Sequence, residues 1–111
     1  MDSRQALEFR GRSLDDFRAF PASARQQAGY QLDRAQQGRE PIDWKPIQTV
    51  GAGVKEIRIR DDSGAFRVLY VAKLAEVVFV LHCFQKKGQE TSRRDLDRAG
   101  KRYRELIVNA D

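Results

Sequence analysis

At 111 residues, with 21 Lys and Arg against 16 Asp and Glu, the chain carries a formal charge of +5 and is expected to form one domain, residues 1–111, around a single modest core. One Cys excludes an internal disulfide, and one Cys with one His leaves an ordinary structural zinc site incomplete, so no metal or other cofactor is expected. Met1 to Arg12 is polar rather than a secretory leader, and the longest apolar run, Val77 to Leu81, falls far short of the ~20 residues of a membrane helix; a soluble cytoplasmic protein is expected.

In chain order, Ala6 to Arg10 reads as a short first strand, with Leu7 and Phe9 on one side. Ser13 and Asp16 have the spacing of a helix N-terminal cap, and Leu14 and Phe17 then share a face. Pro21 suits the first turn of a second helix, whose stripe is Ala24, Ala28, Leu32 and Ala35 and whose stop is Gly38. Arg39 to Gly53, with Pro41, Pro46, Gly51 and Gly53, shows no period and reads as a loop. Trp44 within it is expected to plug the core edge, with base stacking as the alternative.

Val54 to Lys87 reads as three consecutive strands. Ser63-Gly64 and Leu74-Ala75 suit two-residue hairpin loops. That register opposes Arg60 to Arg67, Lys73 to Glu76 and Arg67 to His82, and so places Arg60, Arg67 and His82 in one exposed row. Ile57, Ile59, Phe66, Val68, Tyr70, Val77, Phe79, Leu81 and Cys83 then fill the other face, under the helical pair, and Cys83 is read as a small core hydrophobe. After a polar stretch, Ser92 and Asp95 repeat the capping spacing, and Leu96, Ala99, Tyr103 and Leu106 form the apolar side of a final helix. The expected class is α+β: a small twisted, mainly antiparallel sheet with an N-terminal helical hairpin and a C-terminal helix.

The charge is uneven. Phe84 to Arg104 holds eight basic and three acidic residues, a net of +5, so the rest of the chain is balanced. A localised basic surface favours a polyanion or an acidic protein, although Asp95 and Asp97 among the arginines also fit a solvated helix face. Two arginines placed directly opposite repel by a few tenths of a kcal/mol to about 1 kcal/mol, which a phosphate between them would relieve and a swing of Arg60 to Asp61 or Asp62 would also relieve.

The runs E-I-R-I-R-D, F-R-V-L-Y-V-A, V-L-H-C-F-Q-K-K and R-D-L-D-R-A-x-x-R-Y-R-E-L resemble the RelE/HigB-like toxins of type II toxin–antitoxin modules, and among them the phage-derived branch, from Leu7 to Leu106. The resemblance implies mRNA cleavage, usually on the ribosome, and silencing by a cognate antitoxin, typically a helix-turn-helix protein. By match to the family pattern, Arg67 would hold the scissile phosphate, Arg58 and Arg60 would bind RNA from the preceding strand, Lys86 and Lys87 would be the basic cluster at the sheet's end, and His82 the strand-end histidine. Cys83 stands where a small apolar residue is the rule, and Tyr103 falls on the apolar stripe rather than in the site.

Cleavage of RNA without a metal needs a base for the ribose 2′-hydroxyl, an acid for the leaving oxygen and cations for phosphate charge. Arginine stays protonated, so Arg58, Arg60 and Arg67 are phosphate clamps and the proton carriers are sought among His82, Lys86 and Lys87. Glu56 shares the arginine face and is expected to pair with a basic neighbour. Arg93 and Arg94 are expected to add affinity for RNA, and an antitoxin to present an acidic surface. The alternatives are a non-catalytic nucleic-acid-binding module and a phage-derived structural protein.

Overall fold

The computed structural model describes residues 4–74 and 76–108. Eight elements follow in chain order: β1 (Ala6–Phe9), α1 (Ser13–Arg18), α2 (Ala22–Gln36), β2 (Trp44–Pro46), β3 (Val54–Asp61), β4 (Gly64–Leu74), β5 (Val77–Lys86) and α3 (Arg93–Val108). The five strands form one sheet in the order β1-β5-β4-β3-β2, parallel between β1 and β5 and antiparallel elsewhere. The α+β class with helices at both ends of the chain therefore holds. No helix among the described residues is long and apolar enough to cross a membrane.

Local chemistry explains most boundaries. Ala24, Ala28, Leu32 and Ala35 are all buried, so the four-four-three spacing is the inner stripe of α2. Gly38, at φ +77, closes that helix by bonding back to Ala35 O. Ser92 caps α3 as the spacing predicts: its Oγ accepts from Asp95 N at 3.1 Å. Ser13 does something else. It is fully buried, and its Oγ donates to Val80 O at 3.1 Å, which pins α1 to β5 instead of capping it.

Three expectations are corrected. The segment read as loop contains β2, which pairs Trp44 with Ile57; a three-residue edge strand that ends in Pro46 hides from any pattern test. Trp44 is partly exposed, with Lys55 Nζ 4.5 Å over its ring. The β3–β4 turn is Asp62-Ser63, closed by Asp61 opposite Gly64, because the Asp61 carboxylate accepts from Ser63 N and Oγ at 2.8 and 2.6 Å and sets the turn one residue earlier. The β4–β5 turn closes Leu74 on Val77, not Lys73 on Glu76, and puts Glu76 in the left-handed region at φ 57. The expected loop residue Ala75 lies outside the described residues.

Both hairpins are thus displaced by two positions. A two-residue slip leaves every side chain on its original face but changes its neighbour. Arg67 faces Arg58 and Phe84, not Arg60 and His82. Irregularities between Leu69 and Tyr70, and between Val71 and Leu74, then reverse the parity of the first half of β5. Val78 and Val80 take the place expected for Val77, Phe79 and Leu81 on the α1/α2 side. Phe79 and Leu81 instead join Leu69, Val71, Ala99 and Leu106 beneath α3, with Val77 packed against them.

The sheet therefore carries a core on each face. Gly51 sits where the second core closes: a Cβ there would overlap the Tyr103 ring, whose hydroxyl donates to Ala52 O at 3.1 Å. Gly51→Ala is expected to lose about 1–3 kcal/mol of stability by displacing that ring, measured by urea denaturation.

Candidate nucleic-acid interface and active site

Strand register assembles three rows across β3, β4 and β5 on the face that α3 packs against. They are Glu56, Leu69 and His82; then Arg58, Arg67 and Phe84; then Arg60, Ala65 and Lys86. The start of α3 ties down the first row only. Thr91 Oγ1 donates to Glu56 Oε2 at 2.9 Å, and Asp95 Oδ1 lies 2.7 Å from His82 Nε2. The third row stays open: Arg60 is exposed, and Ala65 and Lys86 are partly so. Neither the Arg60 guanidinium nor the Lys86 ammonium has a hydrogen-bond or ion-pair partner among the described residues. Two strand spacings, about 10 Å, separate their backbones, with the short Ala65 side chain between them.

Arg67 lies behind that row, only 6 % exposed. Its Nη1 donates to Phe66 O at 3.0 Å, its Nε sits 3.6 Å from Glu56 Oε1, and that Nε has no hydrogen-bond partner among the described residues. Burial pulls the Arg67 pKa below the ordinary arginine value; Glu56 opposes this, and Arg58 adds to it. Glu56 is 1 % exposed, held by Thr91 and approached by Lys45 Nζ at 3.9 Å. The expectation that Glu56 pairs with a basic neighbour thus meets two, and the buried one is Arg67. Arg58, next to Arg67 on the sheet, is half-exposed and turns outward to Asp43 Oδ1 at 3.2 Å. The opposed pair Arg58 and Arg67 is thus flanked by carboxylates, Asp43 at 3.2 Å from the first and Glu56 at 3.6 Å from the second.

His82 is 2 % exposed and stacks on Phe84 with ring centroids 5.0 Å apart. Arg102 Nη1 lies 3.4 Å from Nδ1, and an arginine can only donate. The network thus assigns the acceptor role to Nδ1 and the proton to Nε2, which donates to Asp95. Burial holds the His82 pKa below its ordinary value, against the pull of Asp95 and with reinforcement from Arg102 and Arg98. The unfolded chain then takes up a proton at higher pH than the folded chain does. Stability is unaffected above the unfolded value and falls as pH drops through it towards the folded one. Wild type is expected to lose more thermal stability between pH 7 and pH 5 than His82→Gln; equal losses would show that His82 is not the group titrating.

The remaining basic residues separate by position. Lys86, Lys87, Arg94 and Arg98 surround a groove of about 490 Å³ between the end of β5 and the start of α3, with Glu90 and Asp95 in its wall. Arg94 is exposed and has no partner among the described residues, whereas Arg93 faces Asp97 at 3.5 Å on the helix surface. Cys83 is buried in the core on the α1/α2 side, as a packing residue, and that burial pushes its thiol pKa up. Sequence reasoning did not reach Ala65, the Thr91 contact or the Asp95 link to His82, because each depends on which rows meet. The available signal for Glu56 was its shared parity with Arg58 and Arg60.

Comparison with known proteins gives a family and a fold. The family model described as phage-derived protein Gp49-like matches residues 15–104. No curated protein matches the sequence. Among solved structures, an arginine double mutant of the Escherichia coli toxin RelE in the free state is 22 % identical. That match covers 89 % of this chain and 97 % of that one at a TM-score of 0.65, which is a likeness of fold.

Proposed function

This chain belongs to the phage-derived Gp49-like family, RelE/HigB-like in kind, and from that premise we propose that it is the toxin of a type II toxin–antitoxin pair and acts as an endoribonuclease on mRNA. The observation that carries the reading is the open row of Arg60, Ala65 and Lys86, with unpaired cations on both sides of a small residue and Arg58 and Arg67 beside it. A phosphodiester seated over Ala65 would have Arg60 and Lys86 on either side. The 2′-hydroxyl of the preceding ribose attacks the phosphorus, the 5′-oxygen leaves, and charge on the non-bridging oxygens grows in the transition state. Arg58, Arg60 and Arg67 offset that growth.

Of the three proton carriers suggested by the sequence, Lys86 and Lys87 lie at the open end of the sheet, where they can meet RNA. His82 is buried under α3 with both ring nitrogens engaged, which suits a positioning residue that fixes α3 against the sheet. The groove lined by Lys86, Lys87, Arg94 and Arg98 continues the positive surface and suits the RNA backbone or ribosomal RNA. The same positive surface suits an acidic segment of the antitoxin, which would silence the protein by covering it.

The test incubates mRNA with the purified chain, with and without ribosomes, and maps new ends. Fragments ending in 2′,3′-cyclic phosphate are expected. Binding without cleavage would move the protein to the non-catalytic RNA-binding reading, which the burial of Arg67 favours. Neither binding nor cleavage would remove RNA as its target.

A further inference from the structure

A second groove lies on the opposite side of the same cations. Beyond β2, the outer edge of β3 has no strand partner, and α2 seals it with side chains. Gln27 Nε2 donates to Arg60 O at 3.3 Å, and Gln31 Nε2 donates to Arg58 O at 3.4 Å. Gln31 Oε1 in turn accepts from Ile42 N and Asp43 N at 3.0 and 3.2 Å, and Arg58 N donates to Asp43 O at 2.8 Å. The facing wall, residues 42 and 43, is therefore pinned to both α2 and β3. The result is a preformed groove of about 510 Å³, within the ~300–1,000 Å³ range of small-ligand sites.

The lining has a particular chemistry. Tyr30 and Ile42, 56 % and 65 % exposed, are two of the large apolar side chains that the fold leaves in water, and both line this one groove. Neither is needed by either core. Gln26 is exposed there, and its amide has no partner among the described residues. Arg60 lines the groove and also begins the open row on the sheet. The Asp43 carboxylate in the lining is already paired with Arg58; one aromatic face, one aliphatic wall, one amide with both donor and acceptor, and the Arg60 cation at the exit match a flat ring with a polar edge joined to a phosphate. A protein helix would need a longer apolar stripe than two residues.

We propose that this groove is a nucleobase subsite, in which an unpaired RNA base stacks on Tyr30, turns its polar edge to Gln26, and is joined to the strand through a phosphate held by Arg60. The inference rests on the reading of the chain as RNA-acting and adds to it a base-binding residue on α2, outside the sheet. Stacking is tolerant of sequence, and the Gln26 amide supplies whatever base preference the subsite has.

The test uses a 2′-O-methyl oligoribonucleotide, which lacks the attacking hydroxyl, and the same oligomer with one abasic position moved along it, each free and as the mRNA of bacterial ribosomes. Tyr30→Ala is expected to weaken binding roughly 5- to 100-fold with an unchanged salt slope, because stacking releases no counterions. Tyr30→Trp is expected to restore most of it. Arg60→Ala should instead lower the salt slope by about one. One abasic position should cost wild type the same factor and cost Tyr30→Ala nothing more. Equal affinity of wild type and Tyr30→Ala overturns the subsite, as does an abasic penalty that adds to the Tyr30→Ala loss at every position. Should Tyr30→Ala bind RNA normally but release the protein encoded beside it, the groove is a protein site and the proposal falls. Failure of the wild type itself to bind either form would instead sink the RNA reading. Because Tyr30 is exposed, unchanged thermal stability of each variant confirms that binding alone was altered.

Discussion

Arg67→Ala is expected to slow RNA cleavage by roughly 10²–10³ at saturating RNA, the cost of removing one preorganised donor from a developing oxyanion. The same substitution also leaves Glu56 buried with one fewer cation, so activity and folding must be separated. Arg67→Lys keeps the charge but loses the guanidinium fork, and its rate should fall between the two. A double variant, Glu56→Gln with Arg67→Met, removes both charges at similar volume. It is expected to recover stability without recovering cleavage. Single-turnover cleavage beside a thermal melt reads both quantities. An Arg67→Ala protein that stays folded and cleaves at the wild-type rate removes Arg67 from the chemistry and leaves the open row of Arg60 and Lys86 to act alone.

Glu56→Ala should be the most destabilising change on this face. It leaves the Arg67 guanidinium, 7 % exposed in its side chain, without a countercharge 3.6 Å away, and it strips the Thr91 hydroxyl of its acceptor. Breaking a buried pair from one side costs about 3–5 kcal/mol, against a total stability of roughly 5–15 kcal/mol for a chain of this size. Glu56→Gln keeps an acceptor for Thr91 and should cost less. Urea denaturation decides, with an unchanged m-value as the sign that the folded and unfolded states are otherwise the same. Since Thr91 leads into α3, faster amide exchange of residues 91–95 should accompany the loss. A cost below about 1 kcal/mol would mean that Arg67 escapes to water when its partner is removed.

Much of this was legible in the residues. The apolar spacing of α2 and α3, the Ser92 cap and the alternation of Ile57 and Ile59 with Arg58 and Arg60 each arise within one element, where a side chain's direction follows from its position alone. The same parity placed Arg58, Arg60, Arg67 and Glu56 on one face. Resemblance to the RelE/HigB-like toxins rested on those runs and agrees with the family match.

The pairing between elements was not legible. A single Asx interaction at Asp61 moved one turn, Glu76 in the left-handed region closed the next, and both hairpins slid by two residues without turning any side chain over. Because β5 is apolar along nearly its whole length and buried on both faces, its pattern does not record parity, and the irregularities against β4 passed unseen. Chain order alone therefore determined which residues of β3 and β4 share a face, but not those of β5, where Val77, Phe79 and Leu81 lie on the α3 side. Tertiary structure decided which of them touch: it seated Glu56 beside Arg67, locked His82 to Asp95, and left Arg60 and Lys86 open across Ala65. The reason is that a side chain's direction is fixed by its own backbone, whereas its neighbour is fixed by turn geometry and by packing from the opposite layer.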